Sequence, residues 1–350
     1  MAGRSSYTSA QAVDMAQRFG LIVAMRGKFT EHISAMKTAN PSLQIAVYQN
    51  ATFGGSSFTE DMYAHDRYGA RIHAIKWPTT FLMQLDSPKW TNFVTTNCRD
   101  LITKSRYDTC YLDVLGNGPL ISVYLNAKPV TKTGTEWTPL QWIGWTTALA
   151  GKVGSGLGKT TYGNGLGAGY RYFSPTLYSR PLVSTSGQVA AESFVRDAHD
   201  SATKYRNETM WKQDVDMLVD AEAQGKGALT ITKVWTTATT AQINSLHEYA
   251  LGTFLLGSGG KSRFCFLREK GNNASAMDHP YNRVDPGNPI AAYRFADGIY
   301  QRDFTRGRVL VNPKITAVTV PLARTYTTLS GQTVSGSITV APRTARILTW

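Results

Sequence analysis

The sequence predicts a (β/α)₈ barrel, the TIM-barrel architecture, followed by a small antiparallel β-unit. Three observations lead there. Eight strand-like runs recur along residues 21–269, each followed by a helical pattern. Several of these runs are β-branched and apolar on both faces, as parallel strands covered by helices must be. After residue 302 the texture changes to short alternating runs broken by Gly, Pro and Asn, the pattern of an antiparallel all-β unit. Eight βα repeats favour a closed barrel, with a doubly wound open sheet as the structural alternative. The division expected is a barrel over residues 1–302 and an all-β unit over 303–350.

The strand runs, in order, are "LIVAMRG" (21–27), "QIAVYQNA" (44–51), "ARIHAIKW" (70–77), "TCYLDVLG" (109–116), "KTTYGNGLG" (159–167), "QVAAESF" (188–194), "ALTITKVW" (228–235) and "SRFCFLRE" (262–269). Helices are expected between them. "TEHISAMKTA" (30–39) opens on a Thr cap, and "SFTEDMYAHDRYG" (57–69) ends in Gly. "KWTNFVTTNCRDLITKS" (89–105) follows Pro88, a start signal, and Thr138-Pro139 opens "TPLQWIGWTTALAGKV" (138–153) as cap and first residue. "AHDSATKYRN" (198–207) carries a weak helical pattern. "TMWKQDVDMLVDAEAQG" (209–225) and "TTAQINSLHEYALGTFLLG" (239–257) repeat apolar residues at helical spacing.

Composition sets outer limits. The 350 residues can bury a large core, and 42% hydrophobic with 17% charged residues is the balance of a folded globular chain. The formal net charge of +13 favours acidic partners such as nucleic acid, anionic glycans or an anionic envelope. The Lys and Arg are scattered, however, and no basic block marks a nucleic-acid patch. No nucleic-acid partner is therefore expected. Cys98, Cys110 and Cys265 form no CxxC pair. Two of them sit in strand-like runs, so buried free thiols are expected rather than a disulfide framework or a cysteine zinc site. No apolar run of about 18 residues is present, so no membrane span is expected. The first twenty residues lack the apolar core of a secretory signal.

Reactive groups of a (β/α)₈ enzyme sit at the C-terminal ends of its strands. Those ends supply Tyr48 and Asn50 (run two), Lys76 and Trp77 (run three), Asp113 (run four), Tyr162 and Asn164 (run five), Glu192 (run six), and Lys233 and Trp235 (run seven). Among them only Asp113 and Glu192 are carboxylates inside otherwise apolar runs. Burying a carboxylate is costly unless it is paired or used, and each alone could be a structural acid. Runs four and six are two apart around a barrel, so their ends would face each other across its mouth. Glycosidic bond cleavage needs such a pair, one carboxyl on each side of the bond. A separation of roughly 5–6 Å would suit retention and roughly 6.5–9.5 Å inversion. Trp77, Trp235 and Tyr48 could stack on sugar faces. Asn50, Lys76, Asn164 and Lys233 could bind hydroxyls, although for any one of these residues core or rim packing is the favoured reading.

Three other patterns carry less. "GSGLGKT" (154–160) looks like a phosphate loop, but Val153 occupies the position of the first glycine and the segment follows a helix. It reads as a Gly-rich helix end. The two histidines of "HDRYGARIH" (65–73) straddle a loop, and no metal site is expected from them. No nucleophile-elbow pattern places Ser or Cys beside a candidate His.

Three segments resemble the hypothetical glycosyl hydrolases of the α-galactosidase superfamily. They are "YLDVLG", "YGNGLG…SGQVAAESF" and "NPIAAYRFADGIYQRDFTRGRVLVNP". The likeness spans residues 40–350 as a pattern. It implies that the strand-four Asp is the nucleophile and the strand-six carboxylate the acid/base, here Asp113 and Glu192. One departure is visible: the family's Asp-Gly ahead of the strand-six Glu is Ser186-Gly187 in this chain. The expected activity is a retaining glycosidase on α-linked sugars of an extracellular or cell-envelope polysaccharide, with no cofactor and no metal. The alternative is a non-catalytic glycan-binding protein, adhesin-like, on a phage tail or cell surface. In a virion its partners would include other tail proteins.

Overall fold

A computed structural model describes residues 7–268 and 278–350. The chain forms two compact units. The first joins Met1–Gly167 to Arg171–Ala190, and the second joins Ala168–Tyr170 to Ala191–Trp350.

In the first unit α1 (Ser9–Arg18) leads into β1 (Leu21–Ala24), α2 (Ile33–Ala39) and β2 (Gln44–Asn50). The chain then makes β3 (Phe53–Gly54), β4 (His73–Ala74), β5 (Trp77–Leu82) and α3 (Pro88–Ser105), and returns through β6 (Thr109–Asp113). After α4 (Gly118–Ile121), the long helix α5 (Pro139–Leu157) precedes β7 (Tyr162–Asn164), α6 (Gly169–Tyr172, its first two residues counted with the second unit), α7 (Leu182–Thr185) and β8 (Gln188–Ala191, its last residue likewise). Strands β1, β2, β6, β7 and β8 pair in that order, each parallel to the next. Their apolar residues, among them Ile45, Val47, Cys110, Leu112 and Val189, are buried. Helix α3 packs on β2 and β6.

The signals for α3 and α5 act as read. Pro88 and Pro139 each stand in the first turn, where a missing N–H costs nothing. Thr138 also accepts from the Gln141 amide while Gln141 reaches back, a capping box. Gly158 ends α5 in the left-handed region at φ +62°, so "GSGLGKT" is a helix terminus. Helix α2 is shorter than expected: it starts at Ile33, behind His32 with no side-chain cap.

In the second unit α8 (Glu208–Ala223) and α9 (Thr240–Gly257) pack on β9 (Gly227–Lys233) and β10 (Arg263–Leu267), which are parallel to each other. The eighth run's last residue, Glu269, lies outside the described residues. Strands β11 (Arg294–Ala296), β12 (Ile299–Phe304), β13 (Gly307–Asn312), β14 (Val318–Pro321), β15 (Tyr326–Thr328), β16 (Thr333–Val334), β17 (Ser337–Val340) and β18 (Thr344–Thr349) follow. They form a six-stranded antiparallel sheet, β11-β12-β13-β18-β15-β16, and the separate pair β14-β17. These antiparallel strands begin at Arg294, ahead of the change of texture at residue 302. Helix α9 lies against β13 and β18, and Gly252 makes the approach possible: a Cβ there would stand 2.8 Å from Ala345 Cβ.

Four expectations are corrected. The run "ARIHAIKW" is not a parallel strand: residues 73–82 form an antiparallel hairpin, β4-β5, that joins β3 in a three-stranded sheet. The run alternates apolar with polar residues, Ala70-Arg71-Ile72-His73-Ala74, which is the pattern of a half-exposed antiparallel strand; a parallel strand covered on both faces reads as a near-continuous apolar run. Seven parallel strands are thus found among the described residues, five in the first unit and two in the second. The segment 57–69 holds only a 3₁₀ turn, Glu60–Met62. There Phe58 and Tyr63 are drawn into an aromatic cluster with Trp90 and Phe93. Residues 198–207 make turns, because the Arg196 guanidinium takes the carbonyls of Asp200 and Ser201 that a helix would use. Finally, Cys98 and Cys110 are joined in a disulfide with Cα atoms 5.9 Å apart. The cysteines stand on α3 and β6, and the helix lies on the strand. Only Cys265 is free.

Candidate active site

The side chains singled out in the sequence fall into two clusters, one in each unit. The first is built on Asp113, the last residue of β6. Parallel pairing sets Asn50 beside Asp113 and Tyr48 beside Tyr111. Residues two apart on a strand share a face, so Tyr48, Asn50 and Asp113 lie on the same face. The Tyr48 hydroxyl donates to Asp113 Oδ2 at 2.7 Å. Asn164 Nδ2 donates to Oδ1 at 2.8 Å, and the Val114 amide donates to the same oxygen at 2.9 Å. Val114 takes φ +63°, a left-handed conformation that a β-branched residue rarely adopts.

The glycine turns beyond these strands explain the "GNG" and "NGLG" motifs. A Cβ on Gly116 would lie 2.3 Å from the Gly165 carbonyl oxygen, and one on Gly165 would lie 2.3 Å from the Gly116 nitrogen. The Leu115 amide donates to the Asn164 carbonyl at 2.8 Å. The two turns therefore press together backbone to backbone, and this contact holds Asn164 against Asp113.

Burial, and next the charge of Asp113, pushes the Tyr48 hydroxyl well above its usual range, so it stays a donor. Burial also raises Tyr124, again with Asp113's charge adding to it. Tyr124 is part of this cluster although no strand-end pattern marks it. Its ring stands 5.6 Å from Phe53 and 6.0 Å from Trp77. Trp77 opens β5 and is exposed, and Lys76 lies in the turn just before it. Asn50 serves the backbone: its Oδ1 accepts from the Thr52 and Phe53 amides, making the turn from β2 into β3.

The second cluster is built on Glu192, which directly follows β8. Lys233, the last residue of β9, places Nζ 3.2 Å from Glu192 Oε1. The same ammonium stands 5.1 Å from the centre of the Trp235 ring, within cation–π range. His199 meets Trp235 edge-on at 5.3 Å. The loop beyond Glu192 is pinned by Asp214, fully buried on α8. Asp214 accepts from the Val195 and Gly169 amides at 3.1 and 2.7 Å and pairs with Arg206. His199 lies in the loop beyond Glu192 and Asp214 on the helix that follows it, and no strand-end pattern marks either.

Among the described residues no group of three or more His, Cys, Asp or Glu side chains is gathered to hold a metal ion. No described helix is long and apolar enough to cross a membrane.

Parallel strands alternating with helices, and an antiparallel sheet after them, are the architecture of a TIM-barrel-like domain with a C-terminal β-domain. The chain belongs to hypothetical glycosyl hydrolase family 15, whose model matches residues 37–308. Solved structures agree in fold. A maltogenic α-amylase from Thermotoga neapolitana is 8% identical, with 97% of this chain and 93% of that one covered at a TM-score of 0.55. An α-amylase from Malbranchea cinnamomea is 12% identical, covering 96% and 87% at a TM-score of 0.54. A cycloalternan-degrading enzyme from Trueperella pyogenes is 12% identical, covering 96% and 56% at a TM-score of 0.50. No curated protein matches the sequence.

Proposed function

We propose that this glycosidase retains configuration at α-linked sugars of an extracellular or cell-envelope polysaccharide, with Asp113 as nucleophile and Glu192 as acid/base. The observation that supports it most is the setting of Asp113: a strand-end carboxylate held by Tyr48, Asn164 and the Val114 amide. The two donors on Oδ1 fix the plane of the carboxylate, and Oδ2 is the oxygen assigned to attack.

In the first step Oδ2 bonds to the anomeric carbon while the glycosidic bond breaks, and Glu192 gives its proton to the departing oxygen. In the second, Glu192 takes a proton from water, whose oxygen displaces Asp113 and frees the sugar. Two inversions leave the original anomeric configuration. Lys233 and Trp235 flank Glu192 and are assigned to substrate hydroxyls and a sugar face. No step calls on a metal or cofactor. The Cys98–Cys110 disulfide supports action outside the cytosol, where such bonds persist.

The second reading, a glycan-binding protein without turnover, is favoured by one observation: the Lys233 ammonium already occupies Glu192. As an adhesin it would act on a cell surface or beside other phage-tail proteins.

A reducing-end assay across α-linked polysaccharides separates the two. Asp113→Asn is expected to cut turnover by at least ~10³-fold, about 4 kcal/mol of transition-state stabilisation. The variant should fold, because the amide can still accept from Asn164 and Val114 while the Tyr48 hydroxyl turns to accept from it. Proton NMR of the first product is expected to show the α-anomer. A β-anomer would overturn retention, and unchanged turnover in the variant would overturn the role of Asp113.

A further inference from the structure

Where the repeat pattern calls for a third barrel strand, the first unit carries the hairpin β4-β5. Trp77 stands at the start of β5 with 53% of its surface exposed, two residues after Ile75 at 48%. A large aromatic left open to water forgoes the burial that usually holds such a side chain in place. This one is nevertheless fixed. Its ring lies 6.0 Å from Tyr124, and the Tyr124 carbonyl accepts from the Ile75 amide at 2.9 Å, tying the segment to the hairpin. Tyr124 in turn stands 5.6 Å from Phe53, which follows the turn that Asn50 makes. Asn50 is the register partner of Asp113. The aromatic pair is therefore linked, through the buried Phe53 and the turn at Asn50, to the strand end that carries Asp113, and the charge of Asp113 is felt at the Tyr124 phenol.

We propose that Trp77, propped by Tyr124 with the two rings inclined at 53°, forms a stacking platform for a second sugar ring, so that the substrate is a glycan chain of at least two pyranose units. The assignment rests on Asp113 marking where the first unit is cleaved. A pyranose suits the surface: its apolar C–H face covers an indole, while its rim hydroxyls reach polar neighbours. The Tyr124 hydroxyl and the exposed Lys76 supply such neighbours. An isolated apolar patch would fit a protein partner as well. Its closeness to the charge of an acidic strand end favours a saccharide.

The test uses Asp113→Asn protein, which leaves bound chains intact, in affinity electrophoresis through gels cast with soluble starch, dextran, pullulan or galactomannan. Retardation is expected in at least one gel. Adding Trp77→Ala or Tyr124→Ala is expected to weaken it about tenfold, while Tyr124→Phe, which keeps the ring, retains most of it. Thermal melts of each variant check the fold, and Trp77, being exposed, can be removed without opening the core. Retardation in none of the gels, or equal retardation with Trp77→Ala, overturns the platform. Reducing ends released by the wild-type protein are read in parallel. Trp77-dependent retardation without release would sink the hydrolase reading and leave the platform standing. Release together with Trp77-independent binding would do the reverse.

Discussion

Tyr48 shows how little of a site rests on the residue that names it. As a strand-end aromatic it suggests a stacking surface, yet its hydroxyl is spent on Asp113 at 2.7 Å. Its work is to position the carboxylate. Tyr48→Phe deletes one oxygen and leaves Oδ2 without that donor. A buried hydrogen bond to a charged group is worth about 1.5–3 kcal/mol, so kcat is expected to fall roughly 10–100-fold. KM should change little, because the ring and its packing remain. Steady-state kinetics on the best polysaccharide substrate decide it: an unchanged kcat would mean that Asn164 and Val114 hold the carboxylate unaided. At this scale Asp113 stood out because a carboxylate inside an apolar run demands a reason, and its three hydrogen bonds supply one; Glu192, read the same way, falls just past β8 with 41% of its side chain exposed, so burial does not single it out. Tyr124, His199 and Asp214 were not legible, since each reaches its cluster from a loop or helix that carries no local signal.

At the scale of elements the βα units with strong punctuation were legible: Pro88 before α3, Thr138-Pro139 before α5, Gly158 after it. The elements that failed were decided by contacts between distant segments. The helix expected over 57–69 gives way to ring contacts of Phe58 with Trp90 and Phe93 and to the Glu60–Arg71 pair. The third strand became a hairpin because its partner, β3, is in line right after β2. The disulfide has the same origin. Cys98 and Cys110 are separated by 12 positions, and only the packing of α3 on β6 brings them together. Closing a loop of that length removes unfolded-state entropy worth about 3 kcal/mol. Replacing both cysteines by Ala is expected to lower the free energy of unfolding by about that amount. Urea melts of the oxidised wild type and the double variant measure it. Coincident midpoints would mean that the bridge contributes nothing to folding. The bond ends three residues before Asp113, so lost activity in the variant at temperatures where it stays folded would tie the bridge to the site as well.

For the whole molecule the dominant electrostatic fact is an excess of 13 positive charges. Each proton gained on acidification adds to self-repulsion in the compact state. One buried group sharpens this. His247, on α9, is fully buried and stacks on Phe266 at 4.3 Å, with His279, Tyr281 and Arg268 around it. Its Nε2 meets Asn282 Oδ1 at 2.7 Å, while Nδ1 has no hydrogen-bond partner among the described residues. Protonating Nδ1 would bury a donor with nothing to receive it. Burial, joined by the charges of His279 and Arg268, holds the imidazole down to about 3, against 6.5 in a free chain. Between those values the unfolded chain carries a proton that the native one refuses. The contribution to stability is therefore complete above about pH 6.5 and is lost as pH falls, at about 1.4 kcal/mol per pH unit. His247→Gln keeps a donor for Asn282 and removes the titration. The variant is expected to be less stable at neutral pH, having lost the stacked ring, but its unfolding free energy should fall less steeply between pH 6 and pH 4. Parallel pH profiles for the two proteins would show that acid sensitivity resides in the carboxylates and in overall charge, and not in the buried face of α9.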